Sequence, residues 1–233
     1  MLEMERVSTS YGTVAMLRDV SLRVGEGEMV CLLGPNGAGK STTFNAICGL
    51  LRLDGGSIRI AGREVKDCGT ESLAGLGVGF VPEGRRLFPT LTVRENLRLA
   101  FDAARAPALA FGGQIEKMAT LFPRIRERLD QKSGTMSGGE QAMVALARAL
   151  IGDPRLVVMD EPSLGLSPKL IDEYFQIVAR IRDEGKAVLL IEQNAETALS
   201  IAERGYLLVR GQIALQGASK DLLHEDTIRH MYL

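Results

Sequence analysis

An excess of charge of either sign is missing from this sequence: 28 Lys and Arg stand against 29 Asp and Glu, for a formal net charge of −1. Without a long basic run it lacks the electrostatic footprint that a polyanion demands, so no nucleic-acid partner is expected. Long hydrophobic runs are missing too. AVLLI, Ala187 to Ile191, is far shorter than the roughly 20 apolar residues of a spanning helix, and Ala100 to Ala110 is interrupted by Asp102 and Arg105. The chain is therefore not expected to cross a bilayer by itself. MLEMERVSTS has acidic residues and no apolar centre, so it is not expected to be a secretory signal, and residence in the cytoplasm is expected. Cysteine is sparse: Cys31, Cys48 and Cys68 are an odd number without CxxC spacing, and Cys31 lies inside the apolar run MVCLLG, so buried, inert thiols are expected. Internal repeats and low-complexity segments are absent.

What is present is enough for a full core. A length of 233 residues suits one large domain, or one domain with a subdomain, and the pattern favours the latter. Leu2 to Ser8, Val20 to Val24 and Ser57 to Ile60 read as strands of an antiparallel β subdomain, punctuated by glycines. Met29 to Leu33, Val78 to Val81, Leu156 to Met159 and Ala187 to Ile191 are continuously apolar, the mark of strands buried on both faces, and helical segments separate most of them. That alternation predicts an α/β fold with a mostly parallel sheet. Between Leu91 and Gly134 the pattern turns helical, broken by Pro107, Gly112, Gly113 and Pro123. The expected organisation is a single domain over 1–233, with a core in 1–90 and 135–233 and a helical subdomain over about 91–134. GYLLVRGQIALQG predicts a hairpin turning at Arg210-Gly211, followed by a short polar helix to Leu233.

GPNGAGKS, Gly34 to Ser41, matches G-x-x-x-x-G-K-[ST] in the required context, after a strand and before a helix expected over Gly39 to Leu50. Glycines let successive N–H groups point inward, and the helix terminus adds partial positive charge where a polyphosphate sits. Lys40 is expected to reach the β- and γ-phosphates and the Ser41 hydroxyl to bind Mg²⁺, which makes the core a P-loop NTPase. RLVVMDE delivers two carboxylates to a neighbouring strand end, Asp160 for the metal and Glu161 to take a proton from the attacking water.

A second anion-seeking terminus lies far downstream. In MSGGEQ, Ser137, Gly138 and Gly139 stand before a helix of apolar periodicity with free N–H donors. Taken alone, this reads as an ordinary N-cap.

GPNGAGKS, MSGGEQ and VVMDEPS, in this order and spacing, resemble the nucleotide-binding subunits of ATP-binding cassette (ABC) transporters over nearly the whole chain. The resemblance implies that two such subunits pair head to tail, with Ser137, Gly138, Gly139 and Glu140 of each capping the γ-phosphate of the ATP held by the other. The nucleotide's own cradle is then Gly34, Pro35, Asn36, Gly37, Ala38, Gly39, Lys40, Ser41 and Thr42. Tyr11 matches the family's aromatic that stacks on adenine. Pro82-Glu83 falls at the glutamine loop, which ligates Mg²⁺ and faces the membrane partner.

Three positions depart from the family pattern. Glu83 stands where most members have Gln; an added charge there is expected to contact the cation or its water and not the γ-phosphate. Gln193, in LLIEQN, stands where a switch His is usual, and it can donate one neutral hydrogen bond to a γ-phosphate oxygen but cannot titrate. Only His224 and His230 exist, both in the tail. Ser167 replaces an Asp of many members. VPEGRRLFPTLTVRENL, MSGGEQ, DEPSLGLSP and IEQN together are similar to an ATPase subunit of the importers of branched-chain, or more broadly hydrophobic, amino acids. Importers of urea or short amides share most of these phrases, and a soluble cassette without a permease is the rival from another class. Arg85 and Arg86 read equally well as groove-lining residues and as solvated surface. The resemblance implies a cytoplasmic ATPase peripheral to the cell membrane, with Mg²⁺ as cofactor. Its implied partners are a second ATPase subunit (a paralogue, or a second copy in isolation), two integral permeases and, indirectly, an extracytoplasmic substrate-binding protein.

Overall fold

The computed structural model describes residues 1–104, 110–225 and 228. Strands β1 (Leu2–Tyr11) and β2 (Val14–Val24) pair antiparallel, and β1 alternates buried with half-buried side chains, as a sheet with one solvated face does. Strand β3 (Met29–Leu33) is buried at every residue and feeds α1 (Lys40–Ile47). Strands β4 (Gly55–Ile60) and β5 (Arg63–Glu64) complete an antiparallel sheet of order β2-β1-β4-β5. Helix α2 (Thr70–Leu73) leads to β6 (Val78–Val81), and α3 (Val93–Ala104), α4 (Phe111–Leu121) and α5 (Pro123–Arg126) follow. The remainder alternates: α6 (Gly138–Leu150), β7 (Leu156–Asp160), α7 (Pro168–Asp183), β8 (Ala187–Glu192), α8 (Ala195–Ile201), β9 (Arg204–Val209), β10 (Gln212–Ala218) and α9 (Ser219–Leu222). The second sheet has order β10-β9-β3-β8-β7-β6, parallel except for β10.

Because side chains alternate along a strand, the parallel sheet feeds two cores. Met29, Cys31, Leu33, Val157, Met159, Val188 and Leu190 pack with the α6, α7 and α8 side. Val30, Leu32, Leu156, Val158, Leu189 and Ile191 pack with α1 and the antiparallel sheet. Burial pushes the Cys31 and Cys48 thiols up to about 12, which leaves both protonated and inert at neutral pH; Cys68 is half-buried.

The segment between β6 and α6 leaves and returns at one place. Val93 N donates to Gln131 O at 3.0 Å and Ser133 N to Leu91 O at 3.0 Å. Buried Asn96 fills the gap with Nδ2 donating to Thr92 O at 2.9 Å and to Phe88 O at 3.1 Å.

Helix α6 rests on β6 at Gly79, where a Cβ would lie 2.3 Å from Ala149 O. Gly79→Ala must push the helix away from the sheet, and we expect a loss of about 1–3 kcal/mol in urea unfolding; an unchanged midpoint would rule out so close an approach.

Several boundaries differ from the sequence expectation. The helix expected over Gly39 to Leu50 is shorter, because Gly39 takes φ 109°, which no helix residue adopts, and Gly49 at φ 69° ends it. Gly112 and Gly113, expected as breaks, lie in the first turn of α4, where buried Ile115, Met118 and Ala119 outweigh their poor propensity. Pro123 opens α5 at a position that needs no N–H donor. Strand β2 begins at Val14, earlier than expected, since bulges in its pairing with β1 carry the register past the polar residues Arg18 and Asp19. Pro107 and all of the expected terminal helix beyond 225 except Ile228 lie outside the described residues.

Candidate functional site

The first cradle opens where β3 ends. Gly37 at φ 78° and Gly39 at φ 109° fold the backbone tightly, and Ala38 N donates to Pro35 O at 3.1 Å. Its back is supported by the β9–β10 turn: Gly211 N donates to Ala38 O at 2.8 Å, while Gly211 O accepts from Arg18 N at 2.8 Å. Gly34 passes so near β9 that a Cβ would lie 2.7 Å from Leu208 O.

Lys40 is only 4% exposed and bends back over this loop. Its Nζ donates to Gly34 O at 2.8 Å and Pro35 O at 3.2 Å, and pairs with Glu161 Oε1 at 3.0 Å. The ammonium thus has carbonyl and carboxylate partners that a phosphate can replace.

Asp160 ends β7 at 2% exposure, and among the described residues its Oδ1 has no hydrogen-bond partner. Burial pushes its carboxyl up to about 6, the Ser41 hydrogen bond opposes the rise, and the carboxylates of Glu161 and Glu83 add to it. An orphaned carboxylate oxygen beside a hydroxyl and two further negative charges suits a hard cation. Ser41 and Asp160 could hold Mg²⁺ from the protein side. Mg²⁺ keeps to few protein ligands when phosphates supply others.

A carboxyl whose folded pKa lies above its unfolded value of about 3.9 binds its proton more tightly in the native state. Its stabilising contribution is complete below pH 4 and lost as pH rises through about 6. Asp160→Asn should therefore raise stability without ligands at pH 8 by about 3 kcal/mol and change it little near pH 4. Thermal unfolding of both proteins at the two pH values checks this, and equal shifts would refute it.

Glu161 sits at φ 46°, with its N–H donating to Ile191 O at 2.9 Å. Glu192, at 3% exposure, braces the same turn: Oε1 accepts from Ser163 N and Oε2 from Gln193 N, both at 3.2 Å. Its carboxyl is also raised, by burial first, with the Glu161 charge adding and the Ser163 and Gln193 hydrogen bonds opposing. Sequence reasoning passed over Glu192, although a carboxylate ending the apolar run AVLLIE was a visible signal. Gln193 itself is exposed and lines a cleft with Glu161, Ser163, Gly165, Glu192 and Asn194.

Three other expected residues stand around this centre. Tyr11 ends β1 at 48% exposure beside exposed Val14, offering an open apolar surface. Glu83 is exposed just beyond β6 and shares a cleft with Asp160, Phe44 and Cys48. Thr42 is buried in the first turn of α1.

The second cradle is a formed helix start. Ser137 caps α6, with Oγ accepting from Glu140 N at 3.4 Å, while Ser137 N donates to Glu140 Oε2 at 3.0 Å. The hydroxyl also donates to Glu140 Oε2 at 2.9 Å, and Arg128 pairs with Glu140 Oε1 at 2.9 Å. The Ser137 amide, its hydroxyl and Arg128 together hold the Glu140 carboxyl below the usual range. A Cβ on Gly139 would meet Leu170 Cδ1 at 2.4 Å, and one on Gly138 would meet the Arg85 guanidinium at 3.0 Å. Among the described residues, no hydrogen bond or ion pair joins 137–140 to the cradle at 34–42.

Comparison with known proteins bears on this arrangement. The model of the ABC transporter family matches residues 17–164. The high-affinity branched-chain amino acid transport ATP-binding protein BraG of Pseudomonas aeruginosa is 44% identical over 233 residues, covering 100% of this chain and 99% of that protein. The lipopolysaccharide export system ATP-binding protein LptB of Haemophilus influenzae is 34% identical over 237 residues, covering 100% and 96%. Among solved structures, the dimeric post-hydrolysis state of the ATP-binding cassette MJ0796 bound to ADP and Pi superposes with a TM-score of 0.85 at 26% identity, covering 94% of this chain and 99% of that one.

Proposed function

Because this chain belongs to the ABC transporter family, we propose that it is the ATP-hydrolysing subunit of an importer for branched-chain or other hydrophobic amino acids. The observation that carries the chemistry is the convergence of Lys40, Asp160 and Glu161 on the glycine-rich loop. The higher identity to BraG than to the export protein favours amino acid uptake.

In this reading the amides of Gly37 to Thr42 hold the β- and γ-phosphates, and Lys40 exchanges its hold on Gly34 O and Pro35 O for phosphate oxygens. That exchange frees Glu161, which accepts a proton from the water attacking the γ-phosphorus. Ser41 and Asp160 would hold Mg²⁺, aided by Glu83 directly or through water, and the charge it would supply there is spread over the phosphate oxygens. Gln193 donates one hydrogen bond to the γ-phosphate. Tyr11 lies under adenine. Ser137, Gly138 and Gly139, seated on Glu140, complete the site of a second ATPase subunit, so each nucleotide lies between two chains. Two permeases contact the helical segment, and a substrate-binding protein delivers the cargo outside the membrane.

The test is uptake of labelled leucine, isoleucine and valine by source cells lacking this gene, complemented with the wild-type chain or with Lys40→Ala. Uptake is expected only with the wild type. Equal uptake without the gene would defeat the proposal, and loss of urea or amide uptake instead would redirect it.

A further inference from the structure

Three consecutive residues of the loop after β6 have left-handed backbone: Gly84 at φ 74°, Arg85 at φ 66° and Arg86 at φ 43°. Only the first is a glycine. Each of the other two costs on the order of 1 kcal/mol, and such strain persists only where surrounding contacts impose it. Those contacts come from one helix. Arg148, on α6, donates Nη1 to Arg86 O at 2.6 Å and Nη2 to Arg85 O at 3.0 Å. The guanidinium thereby spans both strained peptides.

A second grip lies two turns earlier. Arg85 Nη1 donates to Gln141 Oε1 at 3.3 Å, and Gln141 Nε2 donates to Ser133 O at 3.1 Å and Met136 O at 3.3 Å. Gln141 and Arg148 are seven residues apart, so they share one face of α6 at about 10 Å separation. The Arg85 guanidinium also lies against Gly138 and, more loosely, Gly165. A strap held at two separated points on a rigid rod cannot pivot about either one.

We propose that Arg148 and Arg85 are positioning residues that fix the 83–86 loop and the start of α6 as one body. The inference rests on the roles given above to Glu83 and to Ser137–Gly139. Its consequence is that the carboxylate facing one nucleotide's metal and the cap for the other nucleotide are set together within a single chain. Neither arginine is placed on substrate; each acts through the backbone or through Gln141.

The test uses the full chain, wild type for turnover and Glu161→Gln for trapping ATP. Hydrogen exchange is followed in three segments, 34–43, 82–88 and 134–141, with and without Mg·ATP. Without nucleotide, Arg148→Ala should exchange about tenfold faster in both 82–88 and 134–141, because two charge-assisted hydrogen bonds are gone. With Mg·ATP, its 34–43 segment should still gain protection while 134–141 no longer responds. Arg148→Lys, which can reach one carbonyl, should recover part of the response. Arg85→Ala should lower kcat about tenfold and leave KM for ATP within about twofold, a split that a general loss of folding would not give. Unchanged exchange of 82–88 and 134–141 in Arg148→Ala without nucleotide would overturn the inference, as would a loss confined to 82–88. If the parent chain gains no protection at 34–43, the functional reading fails, while the nucleotide-free arm still decides whether the strap exists.

Discussion

Glu161→Gln is expected to lower ATP turnover by about 10²- to 10⁴-fold while leaving ATP binding intact. The amide has nearly the shape of the carboxylate, so the turn at φ 46° and its bond to Ile191 O are kept, and only the proton acceptor is lost. Binding should even tighten. A negative charge is removed beside Asp160 and the phosphate site; burial, the main cause of the raised Asp160 carboxyl, remains, and only the smaller push from Glu161 is lost. Size-exclusion chromatography with Mg·ATP should show a persistent dimer for this variant and a transient one for the wild type. Turnover within twofold of the wild type would remove Glu161 from the mechanism and with it the proposed route for the proton.

Lys40→Ala should abolish turnover and also unfold more easily, and the second effect separates it from most binding-site lesions. Lys40 Nζ is the ammonium that pairs with Glu161 and satisfies Gly34 O. Its removal leaves a carboxylate with 11% side-chain exposure facing an empty volume. Breaking a buried pair from one side costs roughly 3–5 kcal/mol, or about 10 °C in melting temperature for a chain of this size. Lys40→Ala/Glu161→Gln removes the stranded charge and should recover much of that loss without recovering any turnover. A single variant that melts with the wild type would mean that the ion pair contributes nothing in solution.

The backbone of this fold was largely legible, because buried parallel strands advertise themselves. Met29–Leu33 and Val78–Val81 are apolar throughout, and their ends coincide with the observed strands. Arg210-Gly211 was equally plain as a turn between two strands. Spacing identified GPNGAGKS and VVMDE as candidate chemistry but could not give their mutual contacts. That Lys40 spends its charge on Glu161 depends on the ordering of β3, β8 and β7, which no local pattern encodes. Arg85 read as groove or surface; it is half-buried and bonded to Gln141, while Arg86 is exposed. The grip of Arg148 on two carbonyls was invisible, since a backbone acceptor leaves no mark on residue identity. Gly112 and Gly113 misled for the opposite reason: propensity is local, and packing against the helical core decided.

The turn at Gly211 carries a practical lesson for anyone wishing to label this molecule. A tight bend leading into an edge strand, as this one leads from β9 into β10, is a favoured place for splicing in a tag or fluorophore. Here its peptide joins the glycine-rich cradle to the amino-terminal sheet, and even a methyl group on Gly211 would sit 2.2 Å from Met16 O. Reporter insertions at that bend would disturb nucleotide capture, so probes belong elsewhere, for instance at the β4–β5 turn on the outer edge of that antiparallel sheet, where the space around Gly62 is open and Gly62 itself, at φ 80°, is kept.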